Sequence, residues 1–319
     1  MKLTKYKAGV LKKILINFSI LLLIVGLFDI LAGSVLRKLY FRQQKGEDFR
    51  TTNSIEKTNE DILIFGSSRG ARQYHPDVFE KRLGMSYYNA SRQGNFMLYH
   101  GAVLQSILKR YTPKLVILDF RHGEFKKSAD NYDRLSCLLP YYKAHPEMRQ
   151  IIEQRSRYEK VKFLSSIYPF NSLTFKIAVR NMPFYKEEAP ERKGYIFYDK
   201  VYGKPMKKSN DPAQYSLDTN IIRCYESFLQ SCVSRNIRLL VVVTPYFSIK
   251  NKNDTSIKLA AEIAKKHNVK FIDYSQDSFF LNRPELIADP IHLNNNGAVI
   301  LSNMLVDSLN KETEVQNQK

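Results

Sequence analysis

The chain is short of cysteine and of acidic residues, and each shortage removes a class of protein. Three cysteines (Cys137, Cys224 and Cys232) in 319 residues cannot build a disulfide scaffold. None stands in a Cys-x-x-Cys or zinc-ligand spacing, so no thiolate metal site is expected and the sequence calls for no cofactor. Cys224 and Cys232, eight positions apart in a helical stretch, read as small buried apolar side chains. Against 31 Asp+Glu stand 50 Lys+Arg, a net charge of +19 that would attract nucleic acid, anionic lipid or an acidic polymer. Zinc-finger spacings and RNA-recognition signatures are both missing, and the basic residues are scattered, so nucleic acid is not an expected partner. With 44% hydrophobic and 25% charged residues, the composition is that of an ordinary packed domain.

What is present begins with an apolar run. Residues Ile14 to Leu36 (ILINFSILLLIVGLFDILAGSVL) carry one charge, Asp29. At about 1.5 Å per residue, such a run spans a hydrocarbon core of roughly 30 Å. It is longer than the apolar core of a signal peptide, although Ala32-Gly-Ser34 has the look of a cleavage site, and a cleaved signal or a peripheral hairpin stays open. The basic tail 1–13, with Lys2, Lys5, Lys7, Lys12 and Lys13, favours a cytoplasmic amino end and puts the rest of the chain outside. The expectation is a single-pass protein of the cytoplasmic membrane with an extracytoplasmic domain. Asp29 invites two readings: a carboxylate snorkelling toward water or Arg37, or a polar contact with a membrane partner.

Residues 37–60 read as a linker, the stretch 43–60 (QQKGEDFRTTNSIEKTNE) having no apolar periodicity. The domain then occupies 61–310. Ile62–Phe65, Ser86–Asn89, Pro113–Asp119, Ile237–Thr244 and Lys270–Asp273 read as strands. Helices are expected over His75–Gly84, Phe96–Tyr111, Asn220–Arg235, Thr255–His267 and Asn295–Leu309. Alternation of this kind calls for a five-stranded parallel sheet with helices on both faces, an α/β fold. Residues 124–215 form an insertion, mostly helical, rich in Tyr, Phe, Lys and Arg, including Tyr141-Tyr-Lys, Tyr185-Lys and Gly194-Tyr-Ile-Phe-Tyr198. Its aromatics would either stack on sugar rings or pack a core of their own. A polar tail, 311–319, closes the chain.

Two short motifs carry chemistry. The strand Ile62–Phe65 runs into Gly66-Ser67-Ser68-Arg69, and far downstream comes Asp289-Pro-Ile-His292. A serine at the carboxyl edge of a parallel sheet, with an Asp and a His three residues apart, can form a hydrolytic triad. Ser68 would be the nucleophile, with Ser67 as competitor and helix capping as the ordinary task for either. His292 would take and return the serine proton; Asp289 would orient the imidazole. Backbone N–H groups where the strand turns into the following helix would face a developing oxyanion. His75, His100, His145 and His267 lack comparable context and read as structural or surface residues.

On these residues the chain resembles the SGNH (GDSL-type) hydrolases, and the resemblance implies the flavodoxin-like three-layer fold of that superfamily. Ile64-Phe-Gly-Ser-Ser-Arg69 is similar to the first block, with Ser67 where the family usually has Asp and Ser68 as nucleophile. Tyr88-Asn-Ala-Ser-Arg-Gln-Gly94 resembles the second, which implies an oxyanion hole of Ser68 and Gly94. Asp289-Pro-Ile-His-Leu-Asn-Asn-Asn-Gly297 resembles the last, trailing glycine included. The third block departs: in Pro113-Lys-Leu-Val-Ile-Leu-Asp-Phe-Arg-His-Gly-Glu124, Gly123 stands at the oxyanion-binding Asn and Glu124 at the Asp. Loss of one such donor costs about 3–4 kcal/mol of transition-state stabilisation. Arg69, Arg121 and His122 are the candidates for substrate or oxyanion contacts in its place. In layout the chain resembles the D-alanine transfer protein of teichoic-acid modification and polysaccharide O-acetylation proteins, which are membrane-tethered. That resemblance implies an acyltransferase or esterase acting on O-acyl, chiefly O-acetyl, groups of a cell-envelope polysaccharide. The alternative is an accessory protein presenting glycopolymer to a membrane-bound O-acyltransferase.

Overall fold

The computed structural model describes residues 2–185, 191–204, 215–247 and 254–317. Five strands, β1 (Ile62–Phe65), β2 (Tyr87–Asn89), β3 (Leu115–Asp119), β4 (Arg238–Val243) and β5 (Lys270–Asp273), form one all-parallel sheet in the order β2-β1-β3-β4-β5. This is a doubly wound order, and its topological switch lies between β1 and β3. Side chains alternate between the faces, as the twofold period of a strand requires. Leu63, Phe65, Val116, Leu118, Leu239, Val241 and Val243 belong to one buried cluster. Ile62, Ile64, Leu115, Ile117, Leu240 and Val242 belong to the other. The apolar runs are continuous because both faces are covered.

Of the helices, the long amino-terminal α1 (Lys2–Arg42) comes first, then α2 (Gly46–Glu56), α3 (Ser68–Gln73), α4 (Pro76–Leu83) and α5 (Met97–Ile107). After the insertion come the longer helices α6 (Thr219–Val233), α7 (Thr255–Lys266) and α8 (Asn295–Asn317). Helices α5, α6 and α7 cover the first face through Ala102, Val103, Phe228, Leu229 and Ala260. The second face is covered by α4 and α8 through Phe79, Leu301, Leu305 and Val306. Short helices connect the rest. Gly84 ends α4 in the left-handed conformation (φ 64°), with its N–H donating to Glu80 O, as a glycine C-cap does.

Three sequence boundaries are corrected. The segment 37–60 is not a linker: α1 runs on to Arg42, and Gly46–Glu56 is a helix with a buried face. Its periodicity is hidden because that face is polar. Asp48, only 1% exposed, accepts from Arg92 Nη2 (2.7 Å) and Arg180 Nη1 (2.5 Å). Thr51 and Thr52 meet the hydroxyls of Tyr99 and Tyr141, and Arg110 binds the carbonyls of Ser54, Ile55 and Thr58. The helix α8, expected to end at Leu309, extends to Asn317 and takes in most of the polar tail 311–319.

The insertion consists, among the described residues, of short helical turns and one small hairpin (Glu191–Arg192 with Tyr195–Ile196). Its Leu138, Leu139, Tyr141, Met148, Phe163, Phe170 and Ile177 lie in the same cluster as the first sheet face. Most of its aromatics are therefore core: Tyr141 and Tyr195 are fully buried, and Tyr142 stacks on Phe163 at 3.6 Å. Lys186 and residues 205–214 lie outside the described residues.

The helix α1 is long and apolar enough to cross a membrane, a property that a signal sequence shares, and its most apolar window is wholly exposed in the fold. Its carboxyl end is different, since Tyr40 is buried in the domain core. Asp29 is met by the insertion. It accepts hydrogen bonds from Ser165 Oγ, Ser166 N and Ile167 N of the insertion, at 2.5, 2.5 and 3.3 Å. One turn further, Gly33 lets Ser166 approach so closely that a Cβ would come within 2.5 Å of it. The buried charge cluster under α2 supplies a test of stability. Removing one partner of a buried ion pair costs about 3–5 kcal/mol, because the other charge stays buried alone. Asp48→Ala is therefore expected to lower the thermal unfolding midpoint sharply, while the exposed pair partner Asp307→Ala leaves it nearly unchanged.

Candidate active site

The turn after β1 is shaped by close packing. A Cβ on Gly66 would stand 2.8 Å from Asp119 Cβ and 2.9 Å from Gly70 Cα, and one on Gly70 would stand 2.5 Å from Ser91 Oγ. Only glycine lets β1, β3 and α3 meet so tightly. The turn brings Ser68 to the first position of α3, half-buried at the carboxyl edge of the sheet.

Asp289 and His292 sit on a two-residue hairpin turn between Ile287–Asp289 and His292–Leu293. One Asp289 oxygen, Oδ1, accepts from the backbone N–H of Ile291 (3.0 Å) and of His292 (3.1 Å). His292 Nδ1 lies 2.9 Å from Oδ1 and 2.8 Å from Oδ2, and its Nε2 lies 2.8 Å from Ser68 Oγ. Serine, histidine and aspartate thus form one continuous hydrogen-bonded chain. Ser67 is only 7% exposed, gives α3 no side-chain cap, and is not the serine that meets His292. The hairpin is clamped to α3 by Gln73 Nε2, which donates to Ile291 O (3.3 Å). The trailing Gly297 also has a packing reason, because its Cβ would stand 2.6 Å from Leu286 O.

The electrostatics suit proton transfer. Burial pushes the Asp289 carboxyl up, but the His292 hydrogen bond and charge, the Ile291 N–H and the Tyr198 hydroxyl outweigh it and hold the carboxyl at about 2. Burial pushes His292 below its ordinary 6.5; Asp289 opposes this, and the charges of Arg72 and Arg69 add to it. The imidazole is consequently neutral at neutral pH, with Nε2 able to accept the Ser68 proton.

Sequence reasoning missed two neighbours of this chain. Tyr198, from the insertion, donates its hydroxyl proton to Asp289 Oδ2 (3.2 Å), and its ring lies 6.1 Å from the His292 ring. The Arg72 guanidinium lies 4.8 Å from the centre of the Tyr198 ring. Position in sequence gave no signal for Tyr198, which lies 91 residues from Asp289. Arg72 follows Ser68 by one helical turn, a spacing that could have flagged it.

Arg69, Arg121 and His122 are each held by partners within the protein. Arg69 is 2% exposed; its Nε donates to Thr244 Oγ1 (2.9 Å) and its guanidinium covers the Tyr246 ring at 3.6 Å. Below it Asp119, which accepts from Tyr74 (2.8 Å) and Thr244 (3.1 Å), is pushed up to about 6 by burial. Arg121 is bound to Glu124 (2.8 Å) and stacked on Phe96 at 3.5 Å. His122 Nε2 lies 3.3 Å from Asp254 Oδ2. The whole third loop is committed to structure: Glu124 Oε1 accepts the Met97 N–H (2.6 Å) at the start of α5, and Gly123 N–H donates to Asp254 (3.2 Å). Gly94 occupies a left-handed turn (φ 69°) in the loop after β2, at the same sheet edge as Ser68. The other histidines have structural surroundings: His100 is buried and pushed down to about 3, and His145 is held between Glu56 and Glu147. Among the described residues no group of His, Cys, Asp and Glu could hold a metal ion.

The fold and this site define an α/β protein with a Ser-His-Asp constellation at the carboxyl edge of its sheet. No protein-family model matches the chain, and no curated protein matches it. Among solved structures it is similar to a candidate acylhydrolase from Bacteroides fragilis NCTC 9343, with 14% identity and a TM-score of 0.41, over 84% of this chain and 99% of that one. It is also similar to an alpha/beta hydrolase from the metagenome of Lake Arreo, Spain, with 12% identity and a TM-score of 0.37, over 78% and 94%. Both lie too far away to speak for the chemistry.

Two outcomes follow from the geometry. The rate at which a serine-reactive phosphonate labels the protein should rise with pH and level off, with its midpoint below 6.5; a midpoint above 6.5 would contradict a neutral His292. Tyr198→Phe removes a hydrogen bond to a charged group, worth about 1.5–3 kcal/mol, so labelling should slow roughly tenfold or more with the fold intact.

Proposed function

We propose that this protein is a membrane-tethered serine acyltransferase or esterase of the SGNH type. Its substrates would be O-acyl, chiefly O-acetyl, groups of a cell-envelope polysaccharide. The observation that carries the reading is the chain Ser68–His292–Asp289, with 2.8 Å between Ser68 Oγ and His292 Nε2. In the reaction Ser68 Oγ attacks the acyl carbonyl while its proton passes to His292 Nε2. Asp289 stabilises the imidazolium, and the Ser68 and Gly94 N–H groups bind the oxyanion. His292 then gives the proton to the departing alcohol oxygen, leaving an acyl-serine. A sugar hydroxyl or water, deprotonated by His292, attacks that ester and regenerates Ser68.

The membrane reading rests on α1: a span with the amino end in the cytoplasm and the domain outside, in the cytoplasmic membrane. The +19 charge suits an acidic envelope polymer, and a membrane-bound O-acyltransferase is the protein partner this reading names. One observation favours the accessory alternative. Gly123 N–H and Glu124 are spent on Asp254 and α5, so the third loop offers no replacement for the lost oxyanion donor.

The test is phosphonate labelling of wild type, Ser68→Ala and Ser67→Ala, with release of acetate from an O-acetyl sugar as a second readout. Wild type and Ser67→Ala should label and Ser68→Ala should not. Labelling that survives Ser68→Ala would remove the nucleophile assignment. Wild type that neither labels nor releases acetate would favour the accessory role.

A further inference from the structure

The contact between α1 and the insertion fixes a height. A membrane core takes about 20 apolar residues, and the apolar run starts at Ile14 after Lys12 and Lys13, so the core would end near Gly33. Ser166 packs against Gly33, and Ser165, Ser166 and Ile167 hydrogen-bond to Asp29, one turn deeper. The insertion therefore does not stand above a membrane crossed by α1; this loop reaches the level where acyl chains meet headgroups. A charged Asp29 is tolerable there because the loop satisfies it.

What surrounds that loop matches such a position. Leu164, next to Ser165, is 83% exposed, and Val161, one turn earlier, is 63% exposed. On the helix Thr174–Arg180, which packs against α1, Phe175 is 80% exposed. Outside α1, Leu164 and Phe175 are the most exposed of the large apolar side chains among the described residues, and apolar surface gathered beside a membrane span marks a contact. A cleft of about 410 Å³ opens between α1 and the insertion, and among its lining residues are Gly33 and Ser166 with the cations Arg37 and Lys143. Lys160 lies exposed beside Val161. Apolar side chains at the boundary with cations around them are the pattern of a segment lying in a bilayer interface.

We propose that the insertion is a second membrane contact, with Leu164 and Val161 in the outer acyl region and Arg37, Lys143 and Lys160 among anionic headgroups. This rests on the reading of α1 as a membrane span. Two contacts rather than one would hold the domain at a fixed height and tilt, so that Ser68 works at a set distance from the lipid surface.

The chain contains no tryptophan, so a single introduced one reports alone. The full-length protein would be reconstituted in two sets of vesicles of phosphatidylglycerol and phosphatidylcholine, with bromine on the acyl chains near the headgroup in one set, which reads the insertion, and near the chain end in the other, which reads Ile24. Ile24→Trp reports on the span, Val233→Trp on a surface at the end of α6, and Leu164→Trp and Phe175→Trp on the proposed contact. Leu164→Trp, at an exposed position that tolerates the change, should lose emission and shift to the blue; Val233→Trp should do neither. Phe175→Trp gives an independent reading from the helix Thr174–Arg180, which packs against α1. If Ile24→Trp is quenched but Leu164→Trp and Phe175→Trp behave like Val233→Trp, the interface contact is overturned while the anchor stands, and that face is left for a protein partner. If Ile24→Trp is not quenched, the anchor reading falls and the proposal falls with it.

Discussion

The structure turns on the tight passage from β1 into α3. Gly66 presses against the Cβ of Asp119 and the backbone of Gly70, and Gly70 presses against Ser91. These approaches join the three loops that follow β1, β2 and β3 at one sheet edge. Beneath them Arg69, Thr244, Tyr74 and the buried Asp119 form a hydrogen-bonded floor that leaves Ser68 little freedom. From above, Gln73 and the packing of α8 on α3 bring the Asp289–His292 hairpin down to the serine. Loosening any of these would move Ser68 against His292, and a 2.8 Å hydrogen bond does not tolerate an ångström of drift.

The second theme is polar burial. The helix α2 is held by Asp48, Arg92, Arg180, Thr51 and Thr52 rather than by an apolar stripe. Each buried group is costly to desolvate and gains its place only with its partners present. Because those partners come from the loop after β2, from α5 and from the insertion, α2 ties the end of α1, the sheet domain and the insertion into one body. Tyr198 shows the same economy at the site: a residue of the insertion supports the Asp289 carboxylate.

The third loop is taken up by contacts inside the protein. Its glutamate caps α5 and its glycine N–H is taken by Asp254. The loop thus holds the starts of α5 and α7 together.

The sequence by itself determined the five strands, their parallel arrangement and the pairing of Gly66-Ser67-Ser68 with Asp289-x-x-His292. Those features are local: an apolar run, a glycine at a turn, and two residues whose spacing closes a hairpin. Tertiary structure decided which serine meets the histidine, because the orientation of a side chain at a turn depends on what packs beneath it. It also decided that Gly46–Glu56 is a helix, since a polar buried face leaves no hydrophobic period to read. Tyr198 and the bond from the 165–167 loop to Asp29 were likewise beyond reach. Each depends on two segments meeting in space, and nothing in either segment names the other.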